Sequence, residues 1–191
     1  MGRHHPVGVI HGRFQVLHLD HMKYLLEGKS RCEHLVVGIA NPDPSLTRPD
    51  PADPHRSEPW ANPLTYFERT WLIREALAEQ GVSLQEFSLV PFPINVPELI
   101  RYYVPQDAVF FLTIYDSWGR KKLELMNSMG FRTELLWERT PQEKGITGEQ
   151  VRTKMLLGEP WEHLVPPSTA ALLKAWDLPG RLRSLCGDAM P

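Results

Sequence analysis

Apolar residues in this chain come in short runs, separated by longer stretches where they recur every third or fourth position. The runs fall at residues 7–11, 34–39, 87–91, 108–112 and 132–136. Each is too short for a buried helix and is bounded by glycine, proline or charge, which reads as a β-strand. The stretches at 18–28, 64–80, 96–103 and 117–129 read as helices. Strands that alternate with helices predict an α/β fold, a doubly wound parallel sheet covered on both faces. Ligands of such sheets bind beyond the carboxyl ends of the strands, where the winding direction switches. The turn after the first strand is the expected place. Past residue 136 the pattern becomes helical, over 148–157 and 168–176, with Ser168 placed to cap the second helix. Residues 181–191 show no period and read as a tail, so a single domain is expected over 1–180, with a helical C-terminal part at 147–178.

One segment interrupts the alternation. Residues 41–63 hold seven prolines and few core-forming side chains, a density that excludes helix and interior strand. The segment follows the second strand at its carboxyl end, so it should overhang the ligand site. Arg48, Asp50, Asp53, His55 and Arg56 become candidates to touch an acceptor or a metal. The plain alternative is a stiff surface linker, and it stands level with the functional one, since long loops in compact domains are often functional.

The turn itself reads Gly12-Arg13-Phe14-Gln15, followed by His18, Asp20 and His21 at the start of a helix. Residues at i and i+3 share a helical face, so both imidazoles point the same way, beside the free N–H groups of a helix N-terminus. That arrangement suits a triphosphate. His18 and His21 are expected to donate to phosphate oxygens and stabilise charge in the transition state, with no demand that they move protons. Gly12 is expected to allow close approach of backbone to phosphate, or a backbone angle closed to other residues. Arg13 suits phosphate contact, and Gln15 suits hydrogen bonds within the turn. Farther on, Thr65 and Glu68 have the spacing of a capping box, and Arg69 is a phosphate or structural partner. Trp118 follows the fourth strand and can stack on a base; Arg120 and Lys121 beside it can face phosphate, unless this is a solvated helix start capped by Ser117.

Gly12-Arg13-Phe14-Gln15 with His18-Leu19-Asp20-His21 resembles the GRFQ…HxGH signature of the nucleotidyltransferase superfamily, and within it the archaeal-type nicotinamide mononucleotide adenylyltransferases. The similarity runs on through residues 62–69, 146–152 and 159–166. It implies a Rossmann-like nucleotidyltransferase fold and transfer of a nucleoside monophosphate from a triphosphate to a small phosphate- or phosphonate-bearing acceptor, releasing pyrophosphate, with Mg²⁺ as cofactor. Catalytic roles fall to His18, His21 and Arg152, the last as a ligand of the β- or γ-phosphate. Gly12, Arg13, Phe14, Gln15, Asp20, Thr147 and Arg120 become nucleotide-binding candidates. Arg48, Arg56, Asn95 and Trp118 become acceptor-binding ones.

The chain departs from the pattern at informative places. Asp20 stands where the motif has glycine; Thr147 replaces a serine and Glu149 a threonine. The Ser/His segment after the second strand is replaced by the proline-rich loop. Residues 93–97 resemble the acceptor-side segment, but the tryptophan expected after them is missing. These changes cluster where base and acceptor are chosen. The default substrates, ATP with nicotinamide or nicotinate mononucleotide, therefore compete with CTP and a small phosphonate or phosphate. A third reading is a non-catalytic nucleotide-binding module, in which Asp20 and Glu149 mark a decayed site.

Bulk composition narrows the classes further. A net charge of −2 over 191 residues gives no global field for nucleic acid or a membrane surface, and there is no apolar run of membrane-spanning length. The start lacks the apolar core of a signal peptide, and two cysteines without ligand spacing suit reduced thiols in a cytoplasm. Gly28-Lys29-Ser30 ends like a P-loop, but Lys23 occupies the first glycine's place; there is no GxGxxG and no Cys/His cluster. Leu172, Leu173, Trp176 and Leu178 form a stripe read as core, which leaves a homo-oligomer open.

Overall fold

The computed structural model describes residues 4–47 and 57–186. Five parallel strands form one sheet in the order β3-β2-β1-β4-β5. They are β1 (His5–Gly12), β2 (Cys32–Ala40), β3 (Phe87–Phe92), β4 (Val109–Ile114) and β5 (Arg132–Glu138). The chain winds outward from β1 to β3, then returns to β4 on the other side of β1. The switch point therefore lies between β1 and β4, at the turn the sequence singled out. Helices α1 (Leu19–Lys29), α2 (Tyr66–Glu79) and α3 (Ser117–Ser128) make the crossovers or cover the faces. α4 (Gly148–Leu157), α5 (Pro167–Ala175) and α6 (Leu178–Cys186) complete the chain.

Alternation along β1 sends side chains into two cores. Ile10 joins Leu25, Leu35, Val37, Leu72 and Phe111 on one face, while Val9 joins Val36, Phe92, Phe110 and Met126 on the other. Such burial on both faces is what near-continuous apolar strands of a parallel sheet require. Leu173 and Leu178 are fully buried, so the C-terminal stripe is core, as expected.

Some local expectations are corrected. Residues 96–103 form a short 3₁₀ segment, Pro97–Tyr102, because Pro97 opens it and Pro105 follows closely. The supposed tail from residue 181 forms most of α6. Leu182 is buried, and Arg181 donates to the Pro63 carbonyl at 3.1 Å and to Glu68 Oε2 at 2.9 Å. Asp116, not Ser117, caps α3 by accepting from the Gly119 N–H at 2.9 Å. Ser168 lies one residue inside α5, and its hydroxyl donates to Glu79 at 2.6 Å rather than capping. The capping box at Thr65 and Glu68 is present. The proline-rich segment is ordered at both described ends, Pro44–Leu46 and Pro59–Ala61. Arg48, Asp50, Asp53, His55 and Arg56 lie outside the described residues.

Gly38 shows how closely the second core is built. A Cβ there would sit 2.5 Å from Cδ2 of Phe92, whose ring lies across β2. Gly38→Ala is expected to cost about 1–3 kcal/mol by overpacking. A chemical-denaturation midpoint equal to wild type would refute that account.

Candidate active site

At the carboxyl ends of β1 and β4 the surface opens into a cleft of about 340 Å³. Gly12, Arg13, Phe14, Gln15, His18, Asp20, His21, Trp118, Thr147 and Arg152 all line it. Two segments some 130 residues apart in sequence thus form one site.

His18 caps α1: its Nδ1 accepts from the His21 N–H at 3.3 Å. A neutral imidazole that accepts at Nδ1 carries its proton on Nε2, so His18 keeps one donor for a ligand. His18 and His21 stack with ring centroids 3.7 Å apart and planes 21° apart, and Phe14 braces His21 edge-on at 4.9 Å. Burial, with Arg152 and Lys144 nearby, lowers the His18 pKa to about 3. His21 is likewise pushed well below its ordinary value, by burial and then by His18. Both rings are neutral donors near pH 7. The His18 N–H can meet a phosphate oxygen without a proton changing hands, and His21 can do the same on releasing its hydrogen bond to the Val16 backbone.

This titration has a stability consequence. Burial also holds His11 at about 3, so below about pH 6.5 the unfolded chain takes up protons that the folded rings of His11 and His18 refuse. Stability is full above that pH and falls by about 1.4 kcal/mol per pH unit for each ring until the folded values are reached. The melting temperature should therefore drop between pH 7 and pH 5. A flat or rising curve would count against neutral buried histidines.

Gly12 has an ordinary backbone here. A Cβ on it would approach the Phe14 ring to 2.9 Å, so its smallness serves Phe14. Phe14 itself takes a positive φ of 53°. Gln15 makes a two-way clasp with Leu64, donating at 2.8 Å and accepting at 2.9 Å, which is the turn-stabilising role. Arg152 is 3% exposed, donates to the Gln15 carbonyl and lies 5.2 Å from the Trp60 ring. A Cβ at Gly148 would sit 2.5 Å from that same carbonyl. The late segment is thus seated directly on the early turn. Thr147 caps α4 by accepting from the Gln150 N–H at 3.1 Å.

Asp20 explains its own departure from the motif. Its Oδ2 accepts from the Ile146 N–H at 2.5 Å, and its other oxygen pairs with Lys23. A Cβ on Gly145 would collide with that carboxylate. The added acid therefore pins the late loop to the first turn of α1, with Lys144 carried onto the cleft wall.

Two predicted contacts fall elsewhere. Arg120 pairs with Glu138 and lines a neighbouring depression rather than this cleft. Asn95 donates to the Leu46 carbonyl at 2.7 Å, holding the loop after β2 in place. Conversely, His11, Tyr24, Trp60, Tyr115, Lys122, Trp137 and Lys144 line the cleft without having been singled out. His11 ends an apolar strand and Trp60 lies in the proline-rich loop, so neither sits in a local pattern that marks a site.

No model of a known protein family matches the chain. Phosphonoformate cytidylyltransferase of Streptomyces viridochromogenes is 48% identical over 177 residues, covering 93% of this chain and 95% of that protein. The chain belongs to the nucleotidyltransferase superfamily. Nicotinamide-nucleotide adenylyltransferase of Pyrobaculum neutrophilum, 30% identical over 185 residues with 94% of each chain covered, agrees. The fold matches a solved bifunctional NMN adenylyltransferase/ADP ribose pyrophosphatase from Francisella tularensis with a TM-score of 0.68 at 12% identity. That match covers 95% of this chain and 52% of the larger one. This nucleotidyltransferase is therefore an enzyme that takes a nucleoside triphosphate and a small acceptor. Among the described residues no helix is long and apolar enough to cross a membrane.

Proposed function

We propose that this enzyme transfers CMP from CTP to a small phosphonate, with phosphonoformate as the first acceptor to test. The observation that carries the reading is the 48% identity, spread over nearly the whole of both chains, to an enzyme named for that reaction. The departure after residues 93–97 supports it, because the tryptophan expected there on the acceptor side is missing. ATP with a pyridine mononucleotide, the default of the wider resemblance, becomes the second choice, supported by 30% identity.

A phosphonate oxygen attacks the α-phosphorus in line; the new P–O bond forms as the bond to the β-phosphate oxygen breaks, and pyrophosphate leaves with the electron pair. The acceptor is already anionic, so no general base is needed. The chain's task is to position the reactants and stabilise charge on the phosphorus oxygens. In this reading His18 and His21 donate to the triphosphate as neutral groups, and Arg13, Lys122 and Lys144 supply positive charge from the cleft wall. Among the described residues no three metal-ligating side chains converge. Mg²⁺, if bound beside the triphosphate, would be held by the cleft carboxylates Asp116 (through Oδ2, its Oδ1 accepting from the Gly119 N–H) and Glu149, and would supply neutralisation of phosphate charge.

The test is ³¹P NMR of protein with Mg²⁺, crossing CTP and ATP with phosphonoformate and nicotinamide mononucleotide. Pyrophosphate and a CMP-linked phosphonate from CTP with phosphonoformate alone are the expected products. Turnover confined to ATP with the mononucleotide would overturn the proposal, and binding without turnover in every mixture would favour a non-catalytic module.

A further inference from the structure

His11 is placed where an aliphatic residue would pack at less cost. It stands at the carboxyl end of β1, on the same face as Val7 and Val9, and pairs in register with Gly38 of β2. The absence of a side chain on Gly38 lets Phe92 reach across from β3 and stack on the imidazole, centroids 4.5 Å apart and planes 14° apart. The residue is 7% exposed and contributes to the lining of the cleft. Neither Nδ1 nor Nε2 finds a hydrogen-bond partner among the described residues. Buried polar atoms are nearly always satisfied, and leaving them unsatisfied is destabilising. A stacked ring in the lining of the cleft, with both nitrogens buried and unpartnered, has hydrogen-bonding capacity that the fold itself does not use.

Its surroundings define that atom. Burial keeps the ring neutral, so it offers one N–H donor, and the charge of Lys122 reaches it from α3. A neutral donor beside a cation suits an anionic oxygen. We propose that His11 selects the acceptor by donating a hydrogen bond to one of its anionic oxygens, at the floor of the cleft. This rests on the phosphonate-acceptor reading and adds the residue that recognises the acceptor. The same chemistry would fit an oxygen of the triphosphate, and the experiment separates the two.

The variant is His11→Phe, which keeps the stack on Phe92 and deletes both nitrogens. With CTP and phosphonoformate varied in turn, KM for phosphonoformate should rise roughly 10- to 100-fold, as expected for loss of a buried hydrogen bond to a charged group. KM for CTP should stay within about twofold. The melting temperature of the free enzyme should hold or rise, since two unsatisfied atoms are removed. A purely structural histidine would instead lower it. His11→Gln, which restores a donor, should recover part of the acceptor affinity and stands in if the first variant fails to fold. A rise in KM for CTP instead would assign His11 to the triphosphate, and unchanged constants would end the proposal.

A readout without turnover keeps this separate from the overall function. In ¹⁵N-histidine NMR with CMP present, phosphonoformate should shift the His11 ring nitrogens, assigned by their loss in His11→Phe, and pyrophosphate should not. A shift with pyrophosphate alone, or with neither, overturns the assignment even if the enzyme proves to be a cytidylyltransferase. A wild-type enzyme that shows the shift but no turnover with CTP would overturn the cytidylyl-transfer reading alone.

Discussion

His18→Asn and His21→Ala should each lower kcat by about 10²- to 10³-fold, the effect of removing one donor from charge developing in a transition state. Asparagine is as good an N-cap as any residue, so His18→Asn keeps an acceptor for the His21 N–H while losing the Nε2 donor. Its melting temperature should stay within a few degrees of wild type. His18→Ala removes the cap as well and should lose about 1 kcal/mol of stability. The two rings stack on each other, so losses in the double variant should fall short of the product of the single ones. Steady-state kinetics at saturating triphosphate, alongside thermal denaturation, makes the check. A double variant with full activity would remove these histidines from the chemistry altogether.

The second large effect is expected at Arg69, which never contacts the cleft. The residue is 2% exposed, and its guanidinium binds four carbonyls: Arg13 at 3.0 Å, Ala40 at 2.6 Å, Asn41 at 2.8 Å and Thr65 at 3.3 Å. It joins the turn after β1, the end of β2 and the start of α2. Burial lowers its pKa to about 10, so it remains charged near pH 7. Arg69→Met would keep most of the apolar stem but abandon four buried or half-buried acceptors, costing about 3–5 kcal/mol. Lysine cannot reproduce the fork and should recover little. Urea unfolding should show a lower midpoint with an unchanged slope. Activity should also fall at temperatures where the variant is still folded, because the Arg13 turn loses its anchor. A midpoint near that of wild type would show that solvent satisfies these carbonyls and that Arg69 is no hub.

Both effects combine what a local pattern reveals with what it hides. The strands were legible because five apolar runs had strand length and alternated with helical stretches, and their parallel order follows from the crossovers that such alternation demands. The capping box at Thr65 and Glu68 was legible because capping acts over three residues. The boundary at residue 181 was misjudged because α6 is held by distant partners, Pro63 and Glu68, which lie more than 110 positions earlier in the chain. The cap of α3 moved from Ser117 to Asp116, a one-residue ambiguity that only backbone geometry resolves.

At the site, residue identity announced the chemistry but not the architecture. Two histidines three apart, after a Gly-Arg-Phe-Gln turn, were enough to point to the cleft that opens at the switch point of a parallel sheet. Nothing in their neighbourhood announced that Asp20 would pin Ile146, that Arg152 would donate to the Gln15 carbonyl, or that Gly12 would yield space to Phe14. Nor did it show that His11 would be stacked and left without partners. Hydrophobic periodicity and capping are short-range physics, decided by residues within a turn or two of one another. Contacts across 126 or 137 positions depend on which elements the packed sheet brings side by side, and only the folded chain settles that.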